Sequence, residues 1–205
     1  MLAIIDYGMG NLGSILNMLK KVGARATITS DPAIIDAAAK IILPGVGHFA
    51  AGMKNLKERG LIEALRRNIL ETKKPTLGIC LGAQLLTEFS EEGNVEGLGF
   101  IKAKTLRFQL DDATLKVPHM GWNLIAPQKS SPLLEGLSSQ SRFYFVHSYF
   151  LKAESPSDIL TKTHYGFDFA SALEHQNIFA AQFHPEKSHK FGMRLMKNFA
   201  DLRLN

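Results

Sequence analysis

Through its first half the chain alternates short apolar runs with stretches whose apolar residues recur every three or four positions. Strands alternating with helices, joined by connections too long for hairpins, point to a parallel sheet covered on both faces. Leu2–Asp6 reads as a strand, and Gly8-Met9-Gly10-Asn11 turns into a helix in which Leu12, Ile15, Leu16 and Leu19 share a face, closed by Gly23. Ala26–Thr29 is a second strand, and Ser30-Asp31-Pro32 opens a short helix through a capping side chain and an early proline. Ile41-Ile42-Leu43 is a third strand, followed by the turn Pro44-Gly45-Val46-Gly47. Leu61, Ile62, Leu65 and Ile69 mark the next helix, Pro75–Ile79 a buried strand, and Leu81–Phe89 a helix directly after it.

Beyond about residue 97 the pattern becomes strands with turns between them: Phe100–Phe108, Thr114–Val117, Phe143–Tyr149, Ile159–Thr163, Phe169–Glu174 and Ile178–Phe183. His175-Gln176-Asn177 fits a hairpin loop, and a helix from about His189 to Leu202 carries Phe191, Leu195 and Phe199 at core spacing. With no repeat and no Ser/Pro/Gly linker, the two halves are expected to share one sheet system. The expected fold is a three-layer α/β sandwich with a mostly parallel central sheet, helices on both faces and an added antiparallel portion. At 205 residues it is expected to form a single domain spanning 1–205.

Composition narrows the function classes. Hydrophobic residues at 45% and charged residues at 21% exclude a disordered chain. Cys80 is the only cysteine, so an internal disulfide and a four-cysteine zinc site are excluded, and a lone thiol fits a reducing cytoplasm. The longest apolar runs, such as Ile41–Leu43 and Phe143–Val146, are far too short to cross a bilayer, and no basic segment precedes the first apolar run, so no membrane association is expected. The net charge of +5 comes from scattered pairs (Lys20-Lys21, Arg66-Arg67, Lys73-Lys74) without a basic block, so no nucleic-acid partner is expected. Histidines 48, 119, 147, 164, 175 and 189 form no metal-ligand spacing; no metal and no cofactor are expected.

Gly78-Ile79-Cys80-Leu81-Gly82 places the thiol between a predicted strand and a predicted helix. A nucleophile on such a strained turn is pushed out of the sheet, flanking glycines let backbone pack close, and the Leu81 amide is left to receive a developing oxyanion. A buried structural cysteine is the commoner fate of a free thiol. His184-Pro185-Glu186, just beyond the strand Ile178–Phe183, supplies a base and an orienting carboxylate. Proline favours extended backbone at His184, where side chains two apart face the same side. The Pro44-Gly45-Val46-Gly47 turn lies at the same sheet edge, where amides near Val46 and Gly47 would complete an oxyanion hole.

Gly78–Gly82, His184-Pro185-Glu186-Lys187-Ser188 and Pro44-Gly45-Val46-Gly47 together resemble a class I (triad) glutamine amidotransferase domain. Three further strings narrow the resemblance to the glutaminase subunits of imidazole glycerol phosphate synthases: Ile5-Asp6-Tyr7-Gly8-Met9-Gly10-Asn11-Leu12, Val117-Pro118-His119-Met120-Gly121-Trp122-Asn123 and Tyr144-Phe145-Val146-His147-Ser148-Tyr149. The resemblance runs from residue 2 to about 200 with motif order and spacing kept.

What the resemblance implies is a catalytic triad of Cys80, His184 and Glu186 and an oxyanion hole from Val46, Gly47 and Leu81. Glutamine would be bound by Gly47, Gln84, Glu92, Ser148 and Tyr149. The resemblance also implies a heterodimer with a (β/α)8-barrel synthase (cyclase) subunit, which would take the ammonia to make imidazole glycerol phosphate and aminoimidazole carboxamide ribotide in histidine biosynthesis. Asn11, Pro118, His119, Met120, Trp122, Asn123 and Lys187 would face that partner. Trp122, the only tryptophan, equally suits turn and core packing.

Two departures open a rival. Ala83 stands where the resemblance leads one to expect methionine, and Ser188-His189-Lys190-Phe191-Gly192-Met193 resembles a paralogous branch supplying ammonia for amidation of a surface-polysaccharide sugar. A stand-alone cysteine hydrolase of similar fold is a further alternative, against which Gln84 and the Tyr144–Tyr149 string argue. The intact Cys80, His184 and Glu186 argue against a non-catalytic binding protein.

Overall fold

The computed structural model describes residues 1–203. The first half runs β1 (Leu2–Ile5), α1 (Leu12–Lys21), β2 (Ala26–Thr29), α2 (Pro32–Ala37), β3 (Lys40–Leu43), α3 (Phe49–Glu58), α4 (Ile62–Arg66, continued by a π-helical turn Arg67–Glu71), β4 (Thr76–Ile79) and α5 (Leu81–Leu85). There follow β5 (Phe89–Ser90), β6 (Val95–Glu96), β7 (Ala103–Arg107), β8 (His119–Leu124), β9 (Ala126–Pro127), β10 (Arg142–His147) and β11 (Tyr149–Ala153). The chain closes with β12 (Ile159–Tyr165), β13 (Phe167–His175), β14 (Ile178–Ala181) and α6 (His189–Asp201).

The helices start where capping chemistry allows. The Asn11 side chain accepts from the Ser14 amide at 3.3 Å to open α1, and Asp31 accepts from Ala33 at 2.9 Å with Pro32 in the first turn of α2. The main sheet has the order β2-β1-β3-β4-β14-β13-β11-β7-β5-β6, with β12 on β13 and β9 on β12. β2, β1, β3, β4 and β14 are mutually parallel, and from β13 onward the pairing is antiparallel except for β5 against β7. The sheet is therefore mixed around a parallel core, and both halves of the chain contribute to it. β8 and β10 form a separate antiparallel pair.

Period-two alternation splits the interior into two layers. Leu2, Ile4, Ile42, Leu77, Ile79 and Phe179 pack on one face with residues of α1 and α6; Ala3, Ile5, Ile41, Leu43, Ile178 and Ala180 pack on the other with residues of α2, α3, α4 and α5. Burying each large aliphatic side chain here stabilises the fold by about 1.5–3 kcal/mol before entropy is counted.

One helix goes unread in the sequence, and three expectations are corrected. Helix α3 does not announce itself because its inward stripe of Phe49, Gly52 and Leu56 includes a glycine, seated against Leu85, in place of a large side chain. The predicted helix Leu81–Phe89 ends at Leu85, because the Leu98 amide takes the Leu85 carbonyl and those of Phe100 and Ile101 take that of Leu86; Phe89 then joins β5. Thr114–Val117 is a turn held by the Asp112 carboxylate, which accepts from the Thr114 amide and hydroxyl, and the strand begins instead at His119. The strand predicted over Phe143–Tyr149 is two strands in two sheets, broken at Ser148, whose carbonyl accepts from Phe108 at 3.1 Å.

Candidate active site

β4 ends at Ile79, and Cys80 turns sharply with φ +52° and ψ −109° before α5 begins. Such a conformation costs a non-glycine residue about 1–3 kcal/mol, so its surroundings must enforce it. Its amide donates to Ala181 at 2.8 Å, and its carbonyl accepts from Gln84 at 3.1 Å. Both flanking glycines are sterically required: a Cβ on Gly82 would overlap the Leu43 carbonyl oxygen, and one on Gly78 would lie 2.7 Å from the Ala83 Cα. The Leu81 amide donates to no described residue, which leaves it free for a ligand.

β14 runs parallel to β4 with Ala181 beside Ile79, so the chain beyond β14 passes next to Cys80. His184 is anchored by its amide to the Tyr144 carbonyl at 2.9 Å. Ser188 Oγ accepts from the Tyr144 amide at 3.0 Å and donates to the His184 carbonyl at 2.5 Å, which closes the turn. His184 Nδ1 donates to Glu186 Oε1 at 2.7 Å, with the two side chains 1% and 2% exposed. The convergence comes from a 3₁₀ turn at Pro185–Lys187; only His184 itself has the expected extended backbone. His184 Nε2 is buried without a conventional hydrogen-bond partner and faces the sulfur. Burial alone would lower the His184 pKa, but hydrogen bonding to Cys80 and Glu186, together with their charges, outweighs it and lifts the value to about 9. A protonated imidazole against the sulfur is what a thiolate nucleophile needs.

The Pro44–Gly47 turn is clamped from two sides. Tyr7 Oη donates to the Pro44 carbonyl at 2.6 Å, and Gly45 packs so tightly that a Cβ would sit 2.7 Å from Leu81 Cβ and 2.9 Å from the Gly82 nitrogen. Burial, reinforced by the charge of Cys80, pushes the Tyr7 hydroxyl pKa up, which keeps it a neutral donor. Val46 and Gly47 are exposed, and Gly47 has φ +126°, open to glycine and strained for other residues. Glu92 Oε2 accepts from the Phe49 amide at 2.8 Å, placing its carboxylate at the start of α3, two residues after Gly47.

Gln84 Nε2 donates to the Tyr149 carbonyl at 3.2 Å and to Gln182 Oε1 at 3.1 Å, and Gln182 Nε2 lies 3.9 Å from Cys80 Sγ. Sequence reasoning missed Gln182, Tyr7 and the Ser188 clamp. Gln182 had a usable signal, being two residues before His184 at the end of a strand, the same period that drew attention to Glu186.

A family profile described as "Glutamine amidotransferase class-I" matches residues 3–202. The chain belongs to the class I glutamine amidotransferase family. It is 56% identical over 199 residues, 97% of this chain and 98% of the relative, to "Imidazole glycerol phosphate synthase subunit HisH 2" of Methanococcus maripaludis. It is 51% identical to the protein of that name in Pseudomonas aeruginosa, covering 98% of this chain and all of the relative. It is 48% identical to subunit HisH 1 of Campylobacter jejuni, again over 98% and 100%. Among solved structures, a glutamine amidotransferase superposes with TM-score 0.75 at 19% identity over 98% of this chain and 99% of that one. A glutamine amidotransferase from Thermotoga maritima superposes with TM-score 0.65 at 16% identity, over 90% and 75%. At those identities the structures speak for the class I amidotransferase fold alone.

Among the described residues no group of His, Cys, Asp and Glu is arranged to hold a metal, and no helix is long and apolar enough to cross a membrane. The residues expected to face a partner divide by strand parity. Met120 and Trp122 are 62% and 46% exposed on one face of β8, while His119 is buried and the Asn123 side chain is turned inward. Pro118 and Asn11 are exposed, Asn11 as the cap of α1. The Lys187 ammonium lies over the Tyr144 ring at 5.5 Å, and Trp122 stacks on His189 at 5.3 Å with the rings 5° from parallel.

Proposed function

We propose that the chain is the glutaminase subunit of an imidazole glycerol phosphate synthase, acting in the cytoplasm as one amidotransferase domain over residues 1–205. It would hydrolyse glutamine to glutamate and ammonia and pass the ammonia to a (β/α)8-barrel synthase subunit in histidine biosynthesis. One observation carries the chemistry: a buried His184–Glu186 pair at 2.7 Å, whose free imidazole nitrogen faces a cysteine held on a strained elbow. The pathway rests on relatives named as subunits of that synthase, matched over nearly their whole length.

In this reading Cys80 Sγ attacks the side-chain carboxamide carbon of glutamine, and the oxyanion is received by the Leu81 amide and an amide of the Val46–Gly47 turn. His184 Nε2 gives its proton to the departing nitrogen, releasing ammonia and leaving a glutamyl thioester. Water then attacks the thioester, His184 takes its proton, and glutamate leaves as the thiolate reforms. Glu186 holds the imidazole and stabilises its charge. Gly47, Gln84, Glu92, Ser148 and Tyr149 hold the substrate. The exposed Met120 and Trp122, with Asn11, Pro118 and Lys187, form the partner-facing surface, and His119 and Asn123 support it from behind. The isolated chain would be nearly idle, with the Val46–Gly47 peptide turned away until the partner binds its own ligand. The test is Cys80→Ala in the complex: glutamine-dependent synthesis is lost and ammonia-dependent synthesis retained. Unchanged glutamine use would overturn the triad.

Two observations favour a second reading. Relatives at 56%, 51% and 48% identity bear copy numbers, HisH 2 or HisH 1, and Ala83 and the Ser188–Met193 string depart from the expected pattern. A paralogue with the same chemistry, feeding ammonia to amidation of a surface-polysaccharide sugar, would carry such a number. Stimulation by the histidine-pathway barrel subunit distinguishes the two.

A further inference from the structure

Two buried histidines, His119 and His147, take no part in the chemistry above. With both rings neutral, their hydrogen bonds fix both tautomers. His147 Nδ1 lies 2.7 Å from the Tyr149 carbonyl, which can only accept, so Nδ1 carries the hydrogen and Nε2 must accept. The donor to that Nε2, at 3.0 Å, is His119 Nδ1. His119 Nε2 is then left to accept from Asn123 Nδ2 at 3.2 Å, and the second hydrogen of that amide goes to the His164 carbonyl at 2.9 Å. Burial holds both rings neutral by lowering their pKa values, to about 4 for His119 and about 3 for His147. The His119 ring is further held by stacking on Phe145 at 4.7 Å and on Tyr165 at 4.1 Å.

The Tyr149 carbonyl is where this chain meets the site, because it also accepts from Gln84 Nε2. Both Nε2 hydrogens of Gln84 are spent, on Tyr149 and on Gln182, and no described residue donates to its Oε1. Gln84 therefore presents an oxygen to a ligand, an acceptor suited to an ammonium or a carboxamide N–H. Tyr149, the first residue of β11, thus selects which atom Gln84 shows, and its carbonyl is held from behind by His147.

We propose that His119 and His147 are positioning residues for the substrate: from the β8–β10 pair, whose β8 strand carries exposed Met120 and Trp122, they fix the Tyr149 carbonyl and with it the oxygen that Gln84 presents. The proposal rests on glutamine being the substrate. A merely structural pair would set stability and leave affinity for glutamine alone.

The test compares double variants of the full chain, each first checked for a cooperative thermal transition and then assayed with the ligand-loaded barrel subunit bound. H119F/H147F removes both members of the hydrogen bond and keeps the ring volumes, the change least damaging to folding. H119F/H147N restores an N–H where His147 Nδ1 stands. The readout is the half-saturating concentration and limiting rate for inactivation of Cys80 by a diazoketone analogue of glutamine, with iodoacetamide as the control for thiol reactivity. H119F/H147F is expected to raise the half-saturating concentration about tenfold with the limiting rate little changed, and H119F/H147N to recover to within about threefold. Equal affinity in both variants, or equal loss in both, would overturn the positioning role. If H119F/H147F does not fold, H119F against H119N, which keeps a donor to His147, makes the same comparison, with about a threefold rise for the first and none for the second. Should the wild-type chain, with the loaded barrel subunit bound, react with iodoacetamide but not with the analogue, and show no protection by glutamine, the substrate reading itself falls.

Discussion

In the proposed mechanism a single nitrogen of His184 decides whether Cys80 is a nucleophile or an inert thiol. In that mechanism its imidazole donates the proton that releases ammonia, so glutaminase kcat/KM is expected to fall as pH rises through about 9. Glu186→Gln removes one of the contacts that raise that pKa. Activity should drop by about a hundred- to ten-thousand-fold, and the alkaline limb should move to lower pH. A pH–rate profile with the limb unmoved would contradict the role given to Glu186. Stability follows the same groups with opposite signs. The raised pKa of His184 contributes stability that is full below about 6.5 and is lost as pH rises through about 9. The lowered pKa values of His119 and His147 act the other way: below about 6.5 the unfolded chain takes up protons that the folded rings refuse, and stability falls as pH drops toward about 4 and about 3. Thermal melts across pH 4 to 10 should show an acid limb that flattens in H119F/H147F; an acid limb identical to wild type would refute the buried neutral pair. The grouping of Cys80, His184 and Glu186 was legible because Cys80 is the lone thiol and His184 lies with a carboxylate beyond a strand. His147 was not, because nothing in the linear string distinguishes a histidine bonded to the carbonyl two residues on from any other inward residue of a strand.

At the scale of elements, the elbow depends on backbone packing that side chains cannot replace. Gly82→Ala would drive a methyl group into the Leu43 carbonyl at the end of β3, with an expected loss of about 3 kcal/mol or more, or roughly 6–12 °C in Tm. Gly23→Ala is the contrast: nothing lies within 4 Å of its Cβ, and only the φ of +81° resists, so about 1 kcal/mol and a few degrees are expected. Equal Tm values for the two variants would show that the close approach at Gly82 is not what shapes the elbow. The parallel core was readable from apolar runs with capped helices between them. The second half was less so, because its strand ends are set by long-range partners. The amides of Leu98, Phe100 and Ile101 cut α5 short, and Ser148 breaks a continuous apolar string into strands of two different sheets.

In the whole molecule, the sheet brings residues far apart in the chain to one edge: Cys80 after β4, His184 after β14, and the Pro44–Gly47 turn after β3. The separate β8–β10 pair reaches the same edge through the bridge between Tyr144 and His184, so the strand bearing exposed Met120 and Trp122 is two hydrogen-bonded steps from the triad. That geometry suits control by whatever covers β8. Trp122→Ala is expected to weaken partner binding by about 2 kcal/mol or more, measured by titration calorimetry, with the fold intact. Unchanged affinity would move the interface elsewhere. The most direct measurement is glutamate release from glutamine by this chain, alone and with the histidine-pathway barrel subunit carrying its ribonucleotide ligand. Near-idleness alone and strong stimulation by the loaded partner are predicted. Robust hydrolysis by the lone chain would contradict a partner-gated oxyanion hole, and no response to the loaded, folded partner would contradict the histidine-pathway role.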